Sequence, residues 1–279
     1  LSDNRFSKET QHDYSGAVAS MTADEIVSYD YDVNNRLLQE IFDAAGTADD
    51  RTSVYSYDAA DGIACGDQTG KTVYAGLTAG GTVLEEVTMA YSLAGRQISV
   101  TSDKTGGGGG VEVTTFTYDD AGNRVTQTAG SGQDALTTSY LIDDNNFTGY
   151  AQTLEQTVRD YLDAVVKKIT YVLGADVTGQ YVIDAGGTQG SIFLADGRGS
   201  TRALYDAVSA ALLNAAQVTA GGAWTKTLSY DAYGKALGFD PATAITEMLF
   251  NGESFNARTG QQYLRARWYN PSTGRFGRM

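Results

Sequence analysis

The sequence predicts an all-β fold built from short antiparallel hairpins, and three observations predict it. Tyr-Asp dipeptides recur, each followed within a few residues by Gly or Asn and then often a basic residue. Alternating β-formers precede the clearest copies. The composition is rich in turn and strand formers, with 33 Gly and 18 Tyr against 2 Pro in 279 residues.

The clearest copies are Tyr31-Asp32-Val33-Asn34-Asn35-Arg36-Leu37, Tyr118-Asp119-Asp120-Ala121-Gly122-Asn123-Arg124-Val125 and Tyr230-Asp231-Ala232-Tyr233-Gly234-Lys235. Weaker copies are Tyr57-Asp58 with Gly62, and Tyr91-Ser92-Leu93-Ala94-Gly95-Arg96. Starts at 31, 57, 91 and 118 lie 26, 34 and 27 residues apart, the irregular period of a repeat array with insertions. Each copy reads as strand, tight turn, strand: Val111 to Tyr118 alternates, Asp-Asp-Ala-Gly-Asn caps a turn that tolerates positive φ, and Val125 to Thr128 resumes the strand. A single hairpin is not stable alone, so neighbours must pair edge to edge into a long sheet. The recurring tyrosines read as cross-strand packing with the hydroxyl at a wet edge.

Thr153 to Lys168 is open between strand and helix. Leu154, Val158, Tyr161, Leu162, Val165 and Val166 stand at helical spacing, but β-branched residues and the following Ile169 to Leu173 favour strand. Ala203 to Val218, rich in Ala and Leu, reads as a short helix or a loop insertion, and Gly106 to Gly110 as a flexible loop tip.

Charge and reactive side chains exclude several function classes. The formal charge is −14, from 34 acidic and 20 basic residues, which argues against nucleic-acid binding. One Cys (Cys65) and one His (His12) rule out a Cys/His structural zinc site and an intrachain disulfide, and no nucleophile motif lies near His12. No run of 18 apolar residues is present, and Leu1 to Thr10 lacks the pattern of a secretion signal. The chain reads as an internal piece of something longer. Asp144 to Glu155 follows a calcium-loop spacing, but the strand-like Thr137 to Ile142 before it favours a polar turn. Gly197-Arg198-Gly199-Ser200 lacks the lysine of a phosphate loop and reads as a glycine turn. The pairs Asp49-Asp50, Asp119-Asp120 and Asp143-Asp144 read as solvated turn residues.

The C-terminal third carries the most specific pattern. Phe193-Leu194-Ala195-Asp196-Gly197-Arg198-Gly199-Ser200-Thr201-Arg202-Ala203-Leu204-Tyr205-Asp206 is followed by Tyr230 to Gly234 and by Phe250-Asn251-Gly252-Glu253. Then come Thr259-Gly260-Gln261-Gln262-Tyr263-Leu264-Arg265-Ala266-Arg267-Trp268-Tyr269-Asn270-Pro271 and Gly274-Arg275-Phe276. With the Tyr-Asp repeats, this resembles the YD-repeat proteins of the Rhs family, strongly over 190 to 279 and more weakly over the rest.

The resemblance implies a β-strip that spirals into a hollow shell, with residues 1–185 as a YD-repeat segment and 186–279 as the Rhs core that closes it. Its motif positions here are Tyr31, Asp32, Tyr118, Asp119, Gly122, Gly199, Ser200, Arg202, Tyr230, Asp231 and Gly234 in the repeats and turn motifs. In the closing stretch they are Gly252, Glu253, Gly260, Tyr263, Arg265, Arg267, Tyr269, Pro271, Gly274, Arg275 and Phe276. All are structural; no catalytic, cofactor or metal residue is implied in this stretch. Family members enclose a C-terminal polypeptide, often a toxin, or present extracellular surfaces, so the expected setting is secreted or cell-surface. Expected partners are the chain's own downstream polypeptide or neighbouring shell repeats, with self-assembly possible and no cofactor. The alternative is an adhesin that contacts glycan or a cell surface. A self-cleaving aspartyl site would follow Gly-Arg-Phe, but its Asp-Pro is not among Gly277-Arg278-Met279.

Residues 251 to 279 hold five Arg and one acidic residue, a net of +4 that leaves −18 over residues 1 to 250. With Phe255, Tyr263, Trp268, Tyr269 and Phe276 in the same stretch, the expectation is a segment packed against the inner face of the acidic sheet. Its rings would be buried and its arginines paired with carboxylates or stacked on rings.

Overall fold

In the computed structural model the described residues are 7–10, 25–44, 48–58, 66–206, 211–212, 216–217, 224–225, 227–240 and 244–278. His12, Cys65 and Gly62 lie outside them. Helix among the described residues amounts to three 3₁₀ turns, Thr105–Gly107, Gly132–Asp134 and Phe250–Gly252. The chain is nearly all β, and its long antiparallel sheet is not closed.

Two compact units are present: residues 1–90, 100–113 and 278–279, and residues 91–99 and 114–277. The first unit is a meander in chain order: β1 (Ser7–Thr10), β2 (Glu25–Tyr31), β3 (Leu37–Asp43), β4 (Arg51–Tyr57), β5 (Gln68–Ala75) and β6 (Val83–Tyr91). Each pairs antiparallel with its sequence neighbour. Residues of β7 (Gln97–Asp103) and β8 (Val111–Tyr118) are shared between the two units.

The second unit continues the same pattern through β9 (Arg124–Ala129), β10 (Leu136–Asp143), β11 (Gln152–Arg159), β12 (Val165–Leu173), β13 (Val177–Asp184), β14 (Gly187–Ala195), β15 (Thr201–Asp206) and β16 (Ala211–Leu212). The ladders are again antiparallel between sequence neighbours. Two short pairs follow: β17 (Ala216–Gln217) with β18 (Trp224–Thr225), and β19 (Ser229–Tyr230) with β20 (Ala236–Leu237). A four-stranded closing sheet ends the unit: β21 (Ser254–Asn256), β22 (Gln261–Leu264), β23 (Arg267–Asn270) and β24 (Arg275–Phe276).

Strand alternation places the core. Ile169 and Tyr171 on β12, Val182 on β13, Phe193 on β14 and Leu204 on β15 face one side and pack with Met248. Five such side chains, at roughly 2 kcal/mol each for full burial, give this face its register. One polar side chain on the same side, Gln180, is bonded internally. Gln180, 1% exposed, donates from Nε2 to Ile245 O (2.7 Å) and accepts from Thr246 Oγ1 (3.0 Å). That amide clamps residues 245–246 over the core, as burial of an amide requires.

One expectation is corrected here and an open one is resolved. The helical spacing across 153–168 is incidental: the stretch is β11, a hairpin tip and the start of β12, with Tyr161 and Leu162 exposed at the tip. Ala203 to Asp206 is strand, because Ala203 and Leu204 are buried by the ladder to β14; residues 207–210, 213–215 and 218 lie outside the described residues. Gly106 to Gly110 lies in the loop between β7 and β8, where a 3₁₀ turn, Thr105–Gly107, is followed by backbone bonds back to Lys104. Lys104 O accepts the N–H groups of Gly107 and Gly109, and the Lys104 N–H donates to Gly110 O. A Cβ on Gly106 or Gly107 would strike the Val83 or Leu84 carbonyl, and Gly108 has positive φ.

Candidate functional site

The Tyr-Asp copies build one recurring turn. At six hairpins a residue X, namely Asp32, Ser92, Asp119, Asp160, Asp196 or Asp231, donates its N–H to the carbonyl of X+4 at 2.8–3.0 Å. The X+3 residue returns an N–H to the carbonyl of X and adopts positive φ: Asn35, Gly95, Gly122, Asp163, Gly199 and Gly234. The X side chain accepts the X+4 N–H in every copy, from Arg36, Arg96, Asn123, Ala164, Ser200 and Lys235. This is a type I turn closed by a left-handed residue, the geometry that matches strand twist. Gly122 has a second constraint, since a Cβ there would strike the Arg96 guanidinium.

The tyrosines link consecutive turns. Tyr57 donates its hydroxyl to Leu37 O (2.8 Å), Tyr118 to Gln97 O (2.6 Å) and Tyr230 to Thr201 O (2.6 Å). Each accepting carbonyl stands five residues after the X of an earlier turn. An arginine lies over each ring: Arg36 and Arg96, at X+4 of their turns, over Tyr57 and Tyr118, and Arg202, two residues past the Asp196 turn, over Tyr230, at 5.1, 5.9 and 5.2 Å. The hydroxyls are therefore not at a wet edge, as the repeat spacing alone suggests; they satisfy buried backbone carbonyls. Burial pushes the Tyr118 phenol up to about 12 against the Trp268 hydrogen bond, which lowers it.

The closing sheet engages these turns in the second unit. Trp268, 4% exposed, rests on Phe116 with ring centroids 4.7 Å apart and donates Nε1–H to the Tyr118 hydroxyl at 3.1 Å. The Tyr263 hydroxyl accepts the Arg124 N–H (3.0 Å) and points to Gly122 O (3.4 Å). Arg124 stands at X+5 of the Asp119 turn, so Tyr263 meets there the position that a repeat tyrosine meets elsewhere. The Arg124 guanidinium, 3% exposed, lies 4.1 Å from the Tyr140 ring, 4.5 Å from Tyr263 and 5.2 Å from Trp268. Its Nη1 reaches Gln127 Oε1 (3.4 Å), which also accepts Asn256 Nδ2–H (2.7 Å). Gln97 and Gln261 exchange amide hydrogen bonds at 3.0 and 3.4 Å.

The other motif residues are fasteners. Ser200, fully buried, accepts the Asn251 N–H on Oγ (2.9 Å), and Arg202 pairs with Asp196 (2.8 Å). Glu253 pairs with Arg265 at 3.2 Å, and Arg265 also lies over Tyr150. Burial raises the Glu253 carboxyl although Arg265 pulls it down. Tyr269 donates to Tyr233 O (2.8 Å), Arg267 lies 4.0 Å from the Phe276 centroid, and Pro271 is buried between β23 and the Gly274 turn. Gly252, Gly260 and Gly274 have positive φ, and β24 pairs Arg275 with Asn270. Phe276 departs from the expected burial: it is 36% exposed, with Arg267 against it.

The remaining motifs form turns held by their own side chains. Asp143 and Asn146 close a polar turn, and Glu155 is committed to Lys168 (2.8 Å). The Gly197–Ser200 backbone is capped by Asp196. Beside Arg124, Gln156, Glu253 and Tyr263 lies a cavity of about 60 Å³, room for about two waters. Among the described residues no group of three or more His, Cys, Asp or Glu is placed to hold a metal ion, and no helix is long and apolar enough to cross a membrane. Sequence reasoning missed the Asp160 turn, the Arg124 cage and the buried glutamines. Asp160-x-x-Asp163 carried a usable signal, since Asp tolerates positive φ.

No family model and no curated protein matches the chain. Among solved structures it is similar to a complex titled TcdB2-TccC3-Cdc42, at 12% identity and a TM-score of 0.49 over 91% of this chain and 16% of that one. It is also similar to the Photorhabdus luminescens Tc holotoxin pore, at 13% identity and 0.48 over 91% and 15%. A porin-like protein from Bacteroides uniformis aligns at 17% identity and 0.33 over 57% and 55%. The chain thus spans about a sixth of the length of the first two chains.

Proposed function

We propose that this chain is a wall segment: a YD-repeat strip (1–185) closed by an Rhs-type core (186–279) that encloses or displays a polypeptide continuing beyond it, in a secreted or cell-surface protein. The observation that carries the reading is the Arg124 cage. The closing sheet is held by the same devices that join the repeats, a tyrosine hydroxyl at an X+5 backbone and a guanidinium over aromatic rings. Such a joint supplies rigidity and placement: Gln127 accepts from the Arg124 guanidinium, and three aromatic rings surround it. The motif sequence of residues 193–276 supports the Rhs assignment.

The test appends a polypeptide with a photo-crosslinking residue after Met279. A wall segment predicts crosslinks from the appended chain to strands of the sheet. Crosslinks confined to the appended chain, with saturable binding of the protein to glycans or cells, contradict the reading and favour an adhesin.

A further inference from the structure

One turn departs from the other six in a way that calls for a partner. Asp58 donates its N–H to Asp67 O (2.9 Å), and its Oδ1 accepts the N–H groups of Gly66 and Asp67 at 2.9 and 3.1 Å. Gly66 carries the positive φ that closes the turn. Asp67 therefore holds the place of X+4, which Arg36 and Arg96 hold in their turns. The charge at that place is inverted.

An inverted charge in this place is costly unless it is met. Asp67 is 7% exposed, and its Oδ1 makes no hydrogen bond. Burial raises its carboxyl, Asp58 adds to the rise, and Arg278 opposes it. Arg278 Nε stands 3.3 Å from that Oδ1, close enough for an ion pair though not aligned as a hydrogen bond. Within the second unit, the preceding residue, Gly277, is held too: its N–H donates to Trp268 O (3.0 Å) and its carbonyl accepts from Tyr91 Oη (3.3 Å). A Cβ on Gly277 would come within 3.1 Å of the Tyr91 hydroxyl, tight enough to strain the seat.

We infer that Asp67 is a guanidinium-binding site, which takes the side chain of Arg278 in place of the arginine its own turn lacks and so holds Arg278 within the first unit. A buried carboxylate with one unbonded oxygen is a receptor for a cation, and a guanidinium satisfies it without water. The site does not depend on the wall reading, because it concerns this chain's own residues.

The test is a double-mutant cycle on the full chain with Asp67→Asn and Arg278→Gln, read by amide hydrogen exchange of the peptide covering 269–279. Each single variant is expected to speed exchange at 276–278 about tenfold, and the double variant no more than either single. Additive effects, or unchanged exchange in Arg278→Gln, overturn the proposal. Intrinsic Trp fluorescence shows whether each variant is folded. If Asp67→Asn fails to fold, Arg278→Gln alone decides, with faster exchange supporting the site and no change refuting it.

Discussion

The indole N–H of Trp268 donates to the hydroxyl of Tyr118 at 3.1 Å, and that hydroxyl donates onward to Gln97 O at 2.6 Å. One phenol thus joins the closing sheet to β8 and the β7 backbone in a single relay, all within the second unit. Tyr118→Phe leaves both the indole and the carbonyl unpaired in a buried place. The expected cost is about 1–3 kcal/mol of unfolding free energy, measured as a lower urea midpoint with an unchanged slope.

Arg124 gives a sharper prediction because its role depends on shape as well as charge. Arg124→Lys keeps the cation but loses the flat face set against Tyr140, Tyr263 and Trp268. A loss of about 1–2 kcal/mol is expected, with faster hydrogen exchange in β22 and β23 than in β12 to β14. Equal exchange in all five strands would assign Arg124 to general stability instead.

Three turn aspartates, Asp32, Asp119 and Asp196, have carboxyls held below the usual range. For Asp119, burial raises the carboxyl, but hydrogen bonds from the Asn123 side chain and from the backbone of Asn123, Gly122 and Ala121 outweigh it and leave it lowered. A lowered folded-state value means that the stabilisation is complete above the unfolded value of about 4 and is lost as pH falls through the folded one. Glu253, raised, works with the opposite sign: its burial cost is relieved as pH falls through its folded value. Asp119→Asn is expected to flatten the fall in urea midpoint below about pH 4, while Glu253→Gln should steepen the pH dependence by removing the opposing contribution.

Left-handed turn residues provide a stabilising substitution. Asp163 sits at φ 64° in the position that Gly95, Gly122, Gly199 and Gly234 occupy elsewhere. Asp163→Gly removes the strain but frees the unfolded chain, for a net gain of about 0.5 kcal/mol. Gly122→Ala should cost at least about 1–2 kcal/mol, because φ is positive and Arg96 occupies the space of a Cβ. Thermal melts of the two variants against the parent protein check both signs.

Much of this fold was legible in the sequence because the turn is local. An Asp, a residue tolerant of positive φ three positions later and alternating β-formers on either side specify a hairpin without reference to the rest of the chain. The Tyr57 copy shows where local reading stops: Gly66, eight residues from Asp58, carries the positive φ beside it, and Gly62 lies outside the described residues. The helical spacing of Leu154 to Val166 left that stretch open because a 3.6-residue period and a strand with a hairpin tip coincide over so few turns. The Arg124 cage was out of reach. Tyr140, Tyr263 and Trp268 are brought to one guanidinium only by tertiary packing, and no spacing within a single strand records it. Of the arginines in residues 251 to 279, Arg278 meets a carboxylate outside that segment, Asp67, whereas Arg265 meets Glu253 of the same segment.

The seating of the closing sheet is tested most directly by acrylamide quenching of Trp268 in a Trp224→Phe background, alone and with Arg124→Ala. The indole under Phe116 and Tyr118 predicts blue-shifted emission and slow quenching. With Arg124→Ala the emission should move to the red and quenching should rise, while far-ultraviolet circular dichroism keeps its β signature. A Trp268 that is freely quenched in the folded protein, or one that is indifferent to Arg124→Ala, contradicts a closing sheet held by the Arg124 cage.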